Sequence, residues 1–110
     1  MTDRRSGIER RHAERFAVTV DLEWENHAGK HPGTLSDISE RGCFVLSAGV
    51  YADGERVSIH LPFAGHEPVK VAGEITNHVF ELGFAAAFID MSDDLAEVIR
   101  AFSAANNSSE

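Results

Sequence analysis

A chain of 110 residues with 43% apolar and 25% charged side chains is long enough for one hydrophobic core and too short for two. No apolar run approaches the roughly 18 residues that cross a bilayer, no apolar segment follows Met1-Thr2-Asp3-Arg4-Arg5, and the single Cys43 excludes an internal disulfide, so a cytoplasmic protein without membrane insertion is expected. Charge divides the chain. Residues 1–15 carry five arginines against Asp3, Glu9 and Glu14, whereas the other 95 residues carry five basic and fifteen acidic side chains, a net of −10. Such a body excludes a broad DNA- or RNA-binding face and leaves the leader as the place for a small anionic ligand.

Residues 1–14 lack hydrophobic periodicity and read as a flexible arm. From Phe16 the pattern alternates strictly: Phe16, Val18, Val20, Leu22 and Trp24 fall on one face of a half-buried strand. Asn26-His27-Ala28-Gly29-Lys30 is a turn, and residues 33–38 form the return strand. Cys43-Phe44-Val45-Leu46 is a third strand, Val57, Ile59 and Leu61 alternate in a fourth closed by Pro62, residues 69–79 make a fifth, and residues 82–89 a sixth. Ala52-Asp53-Gly54, Ala64-Gly65-His66 and Phe80-Glu81 mark turns between them. The period then changes: Leu95, Val98, Ile99 and Phe102 predict an amphipathic helix over about residues 92–104, capped by Ser92 with Asp93 and Asp94 in its first turn. The pattern predicts an all-β fold with one C-terminal helix. It is a six-stranded antiparallel barrel over residues 15–105, its open end covered by the helix, with a disordered tail over 106–110.

Two short stretches carry chemistry. In Arg10-Arg11-His12-Ala13-Glu14-Arg15 the guanidinium groups of Arg11 and Arg15 stand four residues apart. Arginine grips phosphate bidentately, stacks on a base and donates to guanine O6 and N7, although such a pair alone reads as a solvated surface feature. In Asp37-Ile38-Ser39-Glu40-Arg41-Gly42, Asp and Ser bond nearby amides in turns and Gly42 is expected to supply a positive φ, so this stretch alone reads as a hairpin. Functionally, its carboxylate can accept from guanine N1–H and N2–H, a donor pair adenine lacks. The histidines, at 12, 27, 31, 60, 66 and 78, show no zinc-ligand spacing, and neither a nucleophile elbow nor a phosphate-binding loop occurs. No enzyme, cofactor or metal is expected.

In conjunction, Arg10-Arg11-x-x-x-Arg15 followed by Asp37-x-Ser39-x-x-Gly42, continued by Cys43-Phe44-Val45 and Leu82-Gly83-Phe84, resembles the PilZ domain over about residues 8–102. PilZ domains are bacterial receptor modules for cyclic di-GMP. The resemblance implies that the arm folds over the ligand on an outer face of the barrel. Arg11 and Arg15 would contact phosphates and guanine, Asp37 and Ser39 would read a guanine edge, and Gly42 would hold the turn, with Arg41 and Gly83 as further contributors. Arg10 resembles the variant that takes a stacked dimer of the dinucleotide. A flat side chain from the fifth strand is also implied, with Asn77, His78 and Phe80 as local candidates. The expected protein is a stand-alone monomer or weak homodimer that changes conformation on binding. It would then signal to an unidentified downstream protein controlling processes such as motility, exopolysaccharide or virulence. The competing reading is a scaffold of the same family that binds no nucleotide.

Overall fold

The computed structural model describes residues 15–49, 51–63 and 65–106. Arg10, Arg11 and the rest of the expected arm lie outside them, as do residues 107–110 of the expected tail. Six strands run β1 (Phe16–Asn26), β2 (Gly29–Ile38), β3 (Gly42–Leu46), β4 (Arg56–Leu61), β5 (Val69–Val79) and β6 (Gly83–Phe88), and one helix, Asp93–Asn106, follows. They pair antiparallel in the order β1-β2-β3-β6-β5-β4, and β4 pairs back to β1 to close the barrel. The alternating apolar positions produce this result. Val18, Leu22 and Trp24 of β1 are buried together with Val57, Ile59 and Leu61 of β4 and Val71 and Ile75 of β5. Hydrophobic residues two apart on each strand thus face one shared interior.

β2 begins four residues earlier than expected. Asn26 and Gly29 form the first pair of a tight hairpin, with Gly29 at φ 124° and the Asn26 side-chain carbonyl accepting from the Ala28 amide at 3.0 Å. The two ends of the barrel are filled differently. At one end Trp24, Tyr51 and Phe84 meet edge to face, with centroids 4.8–5.9 Å apart. The Trp24 indole donates to Ser47 Oγ at 3.1 Å, which satisfies the one polar atom of the largest buried side chain. At the other end the helix packs against β1, burying Ile99 and Phe102, and the Phe102 ring lies 5.3 Å from Phe63. The helix starts where its sequence predicts: Ser92 Oγ accepts from the Leu95 amide at 3.1 Å.

Three register shifts interrupt the ladders, and two of them decide which way polar residues point. On β2, Leu35 pairs with Val45 but Asp37 pairs with Phe44, so two steps on β2 match one on β3. Without that extra residue Asp37 would share the core face with Leu35; with it, Asp37 turns outward and Ile38 takes the buried position. β5 does the same between Ile75 and Asn77, which turns Asn77 outward opposite Ala85. Both are β-bulges, and re-aiming a side chain is what such insertions do.

Candidate functional site

The re-aimed residues fall in one row. Ala17 pairs with Asp37, Asp37 with Phe44, Phe44 with Ala85, and Ala85 with Asn77. Directly paired residues share a face, so the row crosses the outer wall of five strands. Its middle is low and apolar, formed by half-buried Phe44 and Ala85, with the Asp37 carboxylate on one side and the Asn77 amide on the other.

Asp37 Oδ1 is buried, yet among the described residues it accepts no well-aligned hydrogen bond. An Arg15 guanidinium nitrogen stands 3.2 Å from it, an ion pair whose side chains are 52% and 35% exposed. The contact is close in distance but poor in direction, so the carboxylate keeps unused acceptor capacity. At this exposure the pair contributes only about 0–1 kcal/mol, and an incoming donor can displace it cheaply.

The turn beside Asp37 is built from Ser39. That residue is 1% exposed, and its hydroxyl oxygen accepts from the amides of Arg41 at 3.1 Å and Gly42 at 3.2 Å. The Ser39 amide donates to the Gly42 carbonyl at 2.8 Å. In this conformation the hydroxyl holds the turn and faces no open surface. Gly42 corrects the sequence expectation in one respect: its φ is not positive. It is required because β3 and β6 run so close there that a Cβ would collide with the Ala86 carbonyl. Gly83 has the same role at the far end of the ladder, where a Cβ would strike the Val45 carbonyl. Arg41 is exposed, its carbonyl accepting from the Phe88 amide at 2.8 Å. Glu40 pairs with Arg100 at 3.0 Å, tying the turn to the helix.

His78 is not brought to this row. It pairs with Phe84, a core-facing residue, and so lies on the opposite side of the sheet at the aromatic end of the barrel. There its Nδ1 is 2.7 Å from Asp53 Oδ1 and its ring meets the edge of Tyr51. Asn77 is the fifth-strand candidate on the Asp37 face. Phe44 and Ala85, the floor, were not singled out from the sequence, because small and apolar residues signal packing until their strand partners are known. Cys43, next to the turn, is fully buried, and burial together with the Asp37 charge pushes its thiol up to about 12. A groove of about 340 Å³ between Asp21, Leu22, Glu23, His60, Pro62 and Pro68 lies at the β1–β4 seam away from this row. Among the described residues no three His, Cys, Asp or Glu side chains converge as metal ligands, and no helix is long and apolar enough to cross a membrane.

A small closed barrel with a polar-edged row on its outer wall is the class these observations define. A family model described as PilZ domain matches residues 9–105, and the chain belongs to that family. Among solved structures, the chain is similar to the PilZ domain with c-di-GMP of YcgR from Escherichia coli. The TM-score there is 0.71 at 10% identity, covering 88% of this chain and 91% of that one. It also resembles Borreliella burgdorferi PlzA, in complex with c-di-GMP, with a TM-score of 0.67 at 15% identity over 92% of this chain and 44% of that one. The PilZ domain of CeSA from a cellulose-synthesizing bacterium gives a TM-score of 0.66 at 18% identity, covering 84% and 97%. At these identities the likeness establishes the fold, and the chain spans less than half the length of PlzA. No curated protein matches the sequence.

Proposed function

We propose that this PilZ domain is a cytoplasmic receptor for cyclic di-GMP, held on the outer row between Asp37 and Asn77, and that it is not an enzyme. The observation that carries the reading is Asp37. A bulge turns its carboxylate out of the core, Oδ1 lacks an aligned donor, and a guanidinium waits 3.2 Å away. A guanine edge supplies two parallel N–H donors to such a carboxylate, and a dinucleotide carrying two phosphates supplies the anions that draw Arg15 off it. Arg10 and Arg11 of the leader add cations, and Arg41 adds one from the turn. Phe44 and Ala85 give the base an apolar floor, and Asn77 offers donor and acceptor on the far side. Ser39 acts here by fixing the turn, and Gly42 and Gly83 by keeping β3 flat against β6. His78 contributes elsewhere.

Two structural neighbours are described in complex with c-di-GMP, which supports the ligand choice. The working division of the chain is a leader over 1–14 and a barrel with its helix from residue 15 on, the helix running through Asn106, one residue into the tail expected over 106–110. Closing the leader onto ligand orders backbone at about 1–2 kcal/mol per residue, so several charge-assisted bonds are needed to offset it. The closed leader then presents a new surface to a downstream protein.

Calorimetric titration with cyclic di-GMP, cyclic di-AMP and GTP tests the reading. Heat with the first alone, lost in Asp37→Ala, is expected; equal response to the adenine dinucleotide would overturn it. A stoichiometry of two ligands per chain is expected from Arg10 beside the pair. The scaffold alternative predicts no heat at all.

A further inference from the structure

The described surface carries a second feature that the ligand row does not use. Four large apolar side chains are exposed at the aromatic end of the barrel: Phe80 at 83%, Leu82 at 49%, Val79 at 45% and Leu46 at 36%. They form one patch. Leu46 pairs with Gly83 and Val79 pairs with the same glycine from the other side, while Phe80 and Leu82 belong to the turn closed by the Leu82 amide donating to the Val79 carbonyl at 2.9 Å. Isolated exposed hydrophobes are ordinary; four in contact order around one hairpin mark a surface that another molecule covers.

The charges around the patch identify that molecule. From Val71 to Leu82 the sequence holds two carboxylates, Glu74 and Glu81, and no lysine or arginine. From Gly42 to Asp53, the stretch that runs beside the hairpin, there is again none, and Asp53 adds one more acid, held 2.7 Å from His78. Glu81 stands at the tip itself, in the left-handed region at φ 61° where glycine or asparagine sits more easily. Next to it a cleft of about 90 Å³ is lined by Gly49, Tyr51, His78, Phe80 and Glu81. Two aromatic walls and a carboxylate suit the stem and charged head of a lysine or arginine. An anionic membrane would be repelled by the same acids, and a second copy of this body would bring like charge against like.

We infer that the β5–β6 hairpin is the docking surface for a protein partner presenting apolar side chains flanked by lysine or arginine. The inference deepens the receptor reading, because it names the face through which the receptor acts, and it rests on that reading only for the control of docking by ligand. Leu46 is also two positions along β3 from Phe44 on the same outer face, so the patch and the ligand row are continuous.

The full chain tests this with a defined probe: a synthetic amphipathic helical peptide with a leucine seam and lysine flanks, titrated into ¹⁵N-labelled protein. Amide shifts concentrated at Leu46 and residues 79–82 are expected, and Phe80→Ser with Leu82→Ser should weaken the peptide at least tenfold. Both side chains are exposed, so the variant keeps its fold. Shifts elsewhere, or equal affinity in the variant, would overturn the proposal, as would equal binding of a peptide with glutamate flanks. Concentration-dependent dimerisation abolished by the same variant would overturn it in favour of self-association, and adhesion to phosphatidylglycerol vesicles in favour of a membrane. Docking is read from the peptide and ligand binding from a separate cyclic di-GMP melt, so failure of one is distinguishable from failure of the other.

Discussion

The β2–β3 and β5–β6 turns are built on opposite plans. In the first, a serine at 1% exposure spends its hydroxyl on two amides, and a glycine is wedged against the neighbouring strand. A glutamate also ties this turn to the helix. In the second, the two central residues are an 83% exposed phenylalanine and a glutamate in left-handed conformation. The first turn fixes where a polar atom points; the second fixes almost nothing and offers area. Rigid placement suits reading a small ligand atom by atom, and open apolar area suits contact with a larger body.

The largest expected effect probes the packing behind the first turn. Burial, then the nearby Asp37 charge, raises the Cys43 thiol from 9.0 to about 12, with Arg15 opposing. Unfolding returns it to its ordinary value, so above about pH 9 the unfolded chain loses a proton that the folded chain keeps. Stability therefore falls as pH rises from about 9 to about 12, by about 2 kcal/mol at pH 10.5. Urea midpoints of wild type and Cys43→Ala should diverge across that range, and parallel curves would show that the thiol is not sealed. Next in size, Gly42→Ala should cost about 1–3 kcal/mol through its collision with Ala86, measured by thermal melting. A cost below about half a kcal/mol would mean that β3 can move off β6.

Arg15→Ala separates binding from folding. Cyclic di-GMP affinity should drop roughly 10- to 100-fold, since one charge-assisted contact is lost, while the melting midpoint barely moves because the Asp37 pair is exposed. Unchanged affinity would remove Arg15 from the site. Smallest of all, Phe80→Ser should leave stability within about 0.5 kcal/mol. A larger loss would place the hairpin tip in the core and erase the contrast between the two turns.

Most strands, and the helix, were legible because alternation and the 3.6-residue period survive in the sequence: β5 runs over Val69–Val79 as its pattern implies. The face on which Asp37 lies was not legible. Counting by twos from Leu35 puts the carboxylate inside, and only the inserted residue on β2 reverses it. The same arithmetic misplaces Asn77 and leaves it undistinguished from His78, which the register sends to the other side of the wall. Gly42 was read from the usual reason for a glycine, backbone freedom, when its actual reason is the proximity of a strand 44 residues further along the chain. Such proximity exists only after folding. Phe80 was legible as a turn residue, and its 83% exposure agrees with that reading.

The seam between β1 and β4 is held by three residue pairs, Glu23 with His60, Trp24 with Ile59 and Glu25 with Ser58, fewer than in any other ladder. A ring of six joins opens at its weakest one. Here the hinge pin is Trp24, the middle residue of those three pairs, whose indole is buried in the interior. Solvent should therefore enter at that closure before anywhere else in the sheet, so the molecule would unzip into a curved ribbon and not shed its strands one by one.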